Sequence, residues 1–141
     1  MLTTEKKNYL LQRLFEFLKI RSISSDPKFK SESLKAVQFL KQELEEIGFA
    51  KSNIKELYAR GLSSKTNNPL LYGELMSNPQ SPTVLIYGHY DVQPVDPLNL
   101  WTSPPFEMTI RGENIFAQNL PNRLKNFYVP LAYNFSCPSN E

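Results

Sequence analysis

The chain has 141 residues, the length of one ordinary domain, and carries a formal net charge of +2 with acidic and basic residues mixed along it. This balance excludes the basic stripe of a nucleic-acid-binding protein and the cationic face of a membrane-surface protein. Residues 1–7 are polar, and no apolar run approaches the roughly 18 residues that a bilayer crossing requires, so we expect a soluble cytoplasmic protein. The single cysteine, Cys137, cannot form an intramolecular disulfide and is expected to be a bystander thiol.

Two amphipathic helices are predicted in the first third of the chain. Apolar residues from Leu10 to Leu18 recur at helical spacing, so the first helix should run from Thr4 to about Ile20, with Thr3 or Thr4 as its cap. A second helix should run from about Ser31 to Ile47 and end at Gly48, which can adopt a left-handed backbone. The charged residues on the second helix are expected to form a solvated face: Lys35, Lys41, Glu43, Glu45 and Glu46.

Five strands are predicted after the helices. The first two, Ile54–Tyr58 and Leu70–Leu75, should form an antiparallel hairpin because the Gly, Ser, Asn and Pro residues between them cannot continue a ladder. Thr83–Tyr87 is short and continuously apolar, which favours a strand covered on both faces in a largely parallel sheet. Met108–Arg111 and Ile115–Ala117 should form a second, tight hairpin. Helices followed by mixed strands indicate an α/β fold.

Two loops are predicted from residues that interrupt regular structure. Arg21–Pro27 is rich in Ser and Asp, which hydrogen-bond their own backbone, so it should end the first helix. Between Val92 and Glu107 four prolines remove backbone donors and exclude a helix or a central strand. Trp101 and Phe106 in this second loop are expected to pack back onto the body of the protein, with direct substrate contact as the alternative for Trp101.

The only histidine, His89, follows Gly88 at the carboxyl end of the predicted third strand. Ligands of open α/β sheets bind at strand ends, and neutral imidazole is the commonest metal ligand among side chains. Asp91 can fix the ring through the nitrogen that faces away from a metal. Two plainer interpretations stay open: His89 can bond a loop carbonyl, and Asp91 can bond its own backbone in a turn. The pattern indicates a metal site, with His89 as candidate ligand and Asp91 as candidate catalytic residue.

Four stretches resemble, in order and spacing, the start of the zinc-dependent aminoacylase and dipeptidase family, and in detail its carnosinase-type branch. The resemblance runs from about Leu10 to Ala117. It implies a partial three-layer α/β catalytic domain with two zinc ions per site, which hydrolyses peptide or amide bonds in dipeptides or N-acyl amino acids. By this resemblance His89 would ligate one zinc ion, and Asp91 would hydrogen-bond its imidazole. The stretches are Phe17–Ser24, Glu45–Phe49, Gly88–Pro94 and Trp101–Phe106.

After Ala117 the chain departs from that family. Where members resemble Arg-Gly-Ala-Ser-Asp-Asp-Lys-Gly, this chain reads Gln118 to Lys125, and Asn122 takes the position of the carboxylate that bridges both metals. An amide carries no negative charge to neutralise two cations. We therefore expect residues 1–117 to be the amino-terminal part of a catalytic domain, residues 118–141 to be a divergent tail, and the chain to be an inactive, truncated or frame-shifted copy. The alternatives are a non-catalytic protein that associates with an intact homologous subunit, and a product without function.

Overall fold

A computed structural model of the chain describes residues 3–59, 68–76, 78–112 and 114–118. The predictions for Asn122, for Cys137 and for the tail beyond Gln118 lie outside these residues, as does most of the loop between the first two predicted strands. Two helices are followed by two antiparallel strand pairs, which confirms the partial α/β class. The elements are α1 (Thr4–Leu18), α2 (Lys30–Glu46), β1 (Ile54–Leu57), β2 (Leu70–Gly73), β3 (Thr109–Arg111) and β4 (Asn114–Phe116).

The start of α1 and the end of α2 are formed by the residues that the sequence predicts, while α1 ends at Leu18, two residues before the predicted Ile20. The Thr3 hydroxyl accepts a backbone N–H of the first turn of α1 at 3.2 Å, which satisfies one of the unpaired donors there. After α2, Gly48 has a φ of 107°, its N–H donates to the Glu45 carbonyl at 3.1 Å, and the Phe49 N–H donates to the Leu44 carbonyl at 3.0 Å. These two bonds form a Schellman motif, for which glycine is the favoured residue. Neither helix in the described part of the chain combines the length and apolar character that spanning a bilayer requires.

The two helices pack antiparallel through side chains spaced four residues apart along α1. The Tyr9 hydroxyl donates to Glu46 at 2.6 Å, and the rings of Phe17 and Phe39 lie 5.5 Å apart between centroids. Positions four apart share one face of a helix, so these contacts define the seam between α1 and α2. The contacts along the seam are Tyr9 with Glu46, Arg13 with Glu43, and Phe17 with Phe39.

The prediction of a solvated charged face on α2 is wrong for Glu43, which is only 7% exposed. Its Oε1 atom accepts hydrogen bonds from Nε of Arg13 at 2.6 Å and from Nη2 of the same guanidinium. The Arg13 guanidinium also lies 4.5 Å from the centroid of the Phe39 ring. Its hydrogen bond to Glu43 raises the pKa of Arg13 above the ordinary value. Glu43 is therefore an interhelical ion-pair residue, because the neighbouring helix covers it.

β1 and β2 form the predicted antiparallel hairpin, paired over all four residues of each strand. A Cβ atom on Gly73 would meet side-chain atoms of Leu44 and Phe49 at 3.1 Å, so the missing side chain lets β2 lie close against the end of α2. Glu56 of β1 accepts a hydrogen bond from Lys41 of α2 at 2.9 Å, and this contact lowers the pKa of Glu56. The hairpin is thus attached to α2 by an apolar contact and by an ion pair.

β3 and β4 form the second predicted hairpin, with Arg111 opposite Asn114 across a two-residue connection. Gly112 has a φ of 61°, the left-handed region in which glycine meets no steric penalty. Buried residues continue past the end of β4, through Ala117 to Gln118. Gln118 is 8% exposed, its backbone N–H donates to the Pro105 carbonyl at 2.5 Å, and its side chain donates to the Gln93 carbonyl at 2.9 Å.

The prediction that Thr83–Tyr87 forms a strand covered on both faces is wrong. Among the described residues this segment has no strand partner. The four residues 84–87 are between 61% and 87% exposed. A central strand needs a neighbour at each edge and a layer on each face, and no described residue supplies them. We call residues 83–87 the exposed apolar segment.

Candidate metal centre

The segment that carries the candidate residues runs beside the loop that follows α1. Val92 and Ile23 form an isolated parallel bridge, in which the Val92 N–H donates to the Ser22 carbonyl at 3.0 Å. Ile23 is 4% exposed and Val92 is 7% exposed, so both side chains belong to the core. This buried bridge fixes the backbone three residues beyond His89.

Three further hydrogen bonds tie residues 90 and 91 to the rest of the molecule. The Ser22 hydroxyl donates to the Tyr90 carbonyl, and the Ser24 hydroxyl donates to Oδ2 of Asp91, each at 2.6 Å. The Tyr90 hydroxyl donates to the carbonyl of Pro69, just before β2, also at 2.6 Å. Burial, followed by the charge of Asp91, raises the pKa of Tyr90 to about 12. Tyr90 therefore stays a neutral phenol that holds the segment in place.

His89 and Asp91 form the pair that their spacing predicts. Nδ1 of His89 lies 2.9 Å from the backbone carbonyl oxygen of Asp91 and 3.1 Å from its Oδ1 atom. A carbonyl oxygen and a carboxylate oxygen only accept, so Nδ1 must carry the ring proton. In the neutral imidazole the lone pair then resides on Nε2. Nε2 has no hydrogen-bond partner among the described residues, and the His89 side chain is 67% exposed.

Asp91 is held as a carboxylate between His89 and Ser24, which lies in the loop after α1. The hydrogen bond from Ser24 lowers the pKa of Asp91 most, His89 lowers it further, and partial burial opposes both. One oxygen of the group faces Ser24 and the other faces His89. An ionised carboxylate behind an imidazole fixes the tautomer of the ring and raises its basicity. The geometry thus agrees with both interpretations of His89, the ring fixed by Asp91 and the ring bonded to a loop carbonyl, because Nδ1 contacts the carboxylate and a backbone carbonyl oxygen.

The described residues supply one candidate metal ligand with its orienting acid and not a full coordination shell. Within ranges 3–59, 68–76, 78–112 and 114–118, no group of three or more His, Cys, Asp or Glu side chains lies close enough to hold a metal ion. A catalytic zinc ion normally takes three protein ligands and a water. The imidazole fits a metal by its free nitrogen, whereas the donor set around it is incomplete.

The proline-rich loop beyond Val92 packs partly on itself and partly on the loop after α1. Trp101 is 37% exposed, and its indole N–H donates to the Val95 carbonyl at 2.9 Å. Phe106 is half-buried, with the Arg21 guanidinium 5.5 Å from its ring centroid. Phe106 packs onto the body of the protein as predicted, while the polar contact of Trp101 closes its own loop.

The sequence predicted only local backbone bonds for Ser22 and Ser24, and no long-range contact for them or for the Tyr90 hydroxyl. The two serines lie 68 and 67 residues from their partners, so no local pattern connects them. The available signal was their spacing on either side of Ile23, since residues two apart can share one side of an extended segment. That spacing places the two hydroxyl groups beside the segment that pairs with Ile23, which is the one that carries Tyr90 and Asp91.

No protein-family model matches the chain. The Cys-Gly metallodipeptidase of Candida albicans is 34% identical over 108 residues, which cover 74% of this chain and 22% of that protein. The Beta-Ala-His dipeptidase of Mus musculus is 46% identical over 41 residues, or 29% of this chain and 8% of that protein. The solved structure of the Saccharomyces cerevisiae di-peptidase Dug1p superposes with a TM-score of 0.65 at 29% identity, over 74% of this chain and 22% of that one.

The chain thus spans about a fifth of the length of the first of these relatives. The names of the relatives agree with the resemblance carried by the four stretches between Phe17 and Phe106, and the superposition agrees with the α/β class. The chain is homologous to one region of these metallodipeptidases and dipeptidases.

Proposed function

We propose that this chain carries the histidine part of a zinc centre for dipeptide hydrolysis, with His89 as the ligand through Nε2 and Asp91 as the acid that orients it. One observation supports this proposal above the others. Nδ1 of His89 faces two acceptors at 2.9 and 3.1 Å, so the exposed ring presents its other nitrogen for a metal. Zinc binds such a nitrogen at about 2.0–2.1 Å.

We assign hydrolysis to a complete centre and not to this chain alone. The described residues hold fewer than the three protein ligands of a catalytic zinc ion. The substrates we propose for the complete centre are dipeptides and N-acyl amino acids, because two relatives are named for Cys-Gly and Beta-Ala-His dipeptides and a third is named a succinyl-diaminopimelate desuccinylase. The division of the chain into residues 1–117 and 118–141 is part of the same proposal.

A zinc titration followed through the single imidazole tests the ligand assignment. The chain has one histidine, so a long-range proton–nitrogen spectrum contains one pair of ring nitrogens. We expect added zinc to shift the Nε2 resonance and to leave Nδ1 protonated, because Nδ1 is occupied by Asp91. The background variant is Cys137→Ser, which removes the only thiol as a competing ligand.

The matched variants define the outcomes of this titration. In the Cys137→Ser background, His89→Ala should reduce bound zinc, measured by elemental analysis, to the level of a protein-free blank. Asp91→Asn should weaken zinc binding by about 10- to 100-fold, the usual effect of losing the partner behind a ligand. Unchanged zinc in His89→Ala, or a zinc shift at Nδ1, would remove His89 from the centre. Metal-dependent cleavage of Cys-Gly by this chain alone would contradict its proposed inactivity.

A second candidate function is association with an intact homologous dipeptidase subunit. The observation that favours it is the exposed apolar segment, whose residues 84–87 are at least 61% exposed. No described residue pairs with this segment or covers its apolar side chains. Mixing the chain with the Candida albicans enzyme should give a co-eluting complex that Leu85→Lys abolishes. Separate elution of the two native chains would dismiss this candidate.

A further inference from the structure

The Asp91 carboxylate is placed by a residue far from it in sequence. Ser24 donates its hydroxyl hydrogen to Oδ2 of Asp91 at 2.6 Å, while Oδ1 lies 3.1 Å from Nδ1 of His89. The three groups therefore form a relay in which the serine fixes the acid and the acid fixes the ring. A hydroxyl bonded to a charged acceptor makes one of the stronger hydrogen bonds in proteins.

Ser24 is itself fixed by the loop that carries it. Ile23 is buried in the parallel bridge to Val92, and the Ser22 hydroxyl holds the Tyr90 carbonyl on the other side of that bridge. At the end of the loop, the Asp26 side chain accepts the backbone N–H of Lys28 at 3.0 Å and begins a short 3-10 turn. The Ser24 hydroxyl thus projects from backbone that is anchored on both sides.

Ser22 and Ser24 differ in a way that separates packing from orientation. Ser22 is 2% exposed and bonds a backbone carbonyl, so it supports the chain path. Ser24 is exposed and bonds the carboxylate itself. Removing the Ser24 hydroxyl should therefore alter the Asp91 side chain with little effect on the fold.

We propose that Ser24 is a positioning residue of this site, which holds the Asp91 carboxylate in the rotamer that accepts the Nδ1 proton of His89 and so directs Nε2 outward. The inference rests on the proposed function for its relevance to a metal, but the relay itself exists in the metal-free chain. It can therefore be tested without zinc.

The test is the tautomer ratio of the neutral His89 ring, read from its two nitrogen resonances at a pH where the shifts no longer change. In the native chain the proton should reside mainly on Nδ1. In Ser24→Ala the ratio of the Nδ1–H to the Nε2–H form should fall about fivefold, the equivalent of about 1 kcal/mol, because the Ser24 hydrogen bond acts on the ring only through the Asp91 carboxylate. Asp91→Ala gives the limit of a ring without its acid.

Three further variants decide between orientation and general disturbance. Ser24→Thr keeps the hydroxyl and should retain the native ratio, whereas Ser24→Cys keeps the size with a weak donor and should follow Ser24→Ala. Ser25→Ala is the matched control, since Ser25 is an exposed neighbour without a hydrogen bond to any described residue. A native ratio in both Ser24→Ala and Ser24→Cys would overturn the inference, and so would an equal change in Ser25→Ala.

The inference and the proposed function fail in different experiments. If the ratio changes as expected and zinc leaves Nε2 unshifted, Ser24 positions the acid and the metal assignment falls. If zinc shifts Nε2 and Ser24→Ala keeps the native ratio, the ligand assignment stands and the positioning role of Ser24 falls.

Discussion

Replacing Arg13 by alanine is expected to lower the free energy of unfolding by about 3 kcal/mol, because the Glu43 carboxylate then stays buried without its partner. The Glu43 side chain is 9% exposed and accepts the Arg13 Nε hydrogen at 2.6 Å. Hydrogen bonds to charged groups contribute about 1.5–3 kcal/mol, and loss of the guanidinium over Phe39 adds about 0.5–1 kcal/mol. The midpoint temperature of thermal unfolding, followed by circular dichroism, should fall by roughly 10 °C.

Removing Glu43, the other partner of the ion pair, should lower the free energy of unfolding by less. Glu43→Ala is expected to lose about 2 kcal/mol, since Arg13 is 19% exposed and keeps Glu16 as a partner. The double change Arg13→Leu with Glu43→Leu should recover most of the loss, because an apolar pair leaves no charge buried. In the control, Lys51→Ala, the lost side chain is 84% exposed and its Nζ lies 3.3 Å from Oε2 of Glu45, so the effect on the free energy of unfolding should stay below about 0.5 kcal/mol. Equal losses in Arg13→Ala and Lys51→Ala would contradict the prediction.

The elements that sequence predicted well are those decided within a few residues. The Thr3 cap and the Gly48 stop each depend on bonds to the adjoining turn. The second hairpin depends on one glycine that accepts a φ of 61° at Gly112. The pairing of His89 with Asp91 belongs to the same class, because the two residues are two apart and their side chains can meet without any other element.

The predictions that failed depended on neighbours that local sequence does not specify. Glu43 was assigned to a solvated face because its own helix leaves it outside the apolar stripe, and α1 then covers it through Arg13. For the segment of residues 83–87, composition indicated that it should be buried and gave no information about what would bury it. Ser24 was missed for the same reason, since its partner is 67 residues away. Contacts between distant segments depend on how whole elements pack together, and the local sequence pattern of one segment does not predict them.

Self-association through the exposed apolar segment is the second large effect that we expect. The stretch from residue 75 to residue 90 contains no Asp, Glu, Lys or Arg, so two copies would meet without charge repulsion. Four consecutive side chains of the segment are at least 61% exposed, and its backbone makes no hydrogen bond with described residues. An uncharged, β-branched edge of this kind pairs readily with another copy. The native chain should therefore show concentration-dependent growth in sedimentation velocity and light scattering.

Leu85→Lys should suppress that growth. Leu85 is 87% exposed, so the substitution should change monomer stability by no more than about 0.5 kcal/mol. In a pair of segments, however, the two lysines would lose water without gaining a partner, and even about 1.4 kcal/mol of desolvation weakens association tenfold. The concentration at which scattering begins to rise should accordingly increase at least about tenfold.

Leu100→Lys provides the matched control for this prediction. Leu100 is 75% exposed, and the same charge is added, but the residue ends a 3-10 turn whose backbone cannot pair as an extended strand. If Leu100→Lys suppresses scattering as strongly as Leu85→Lys, net charge alone controls solubility and the segment has no special role. If only Leu85→Lys acts, the edge that the segment presents is the surface that associates, since no described residue pairs with either of its edges.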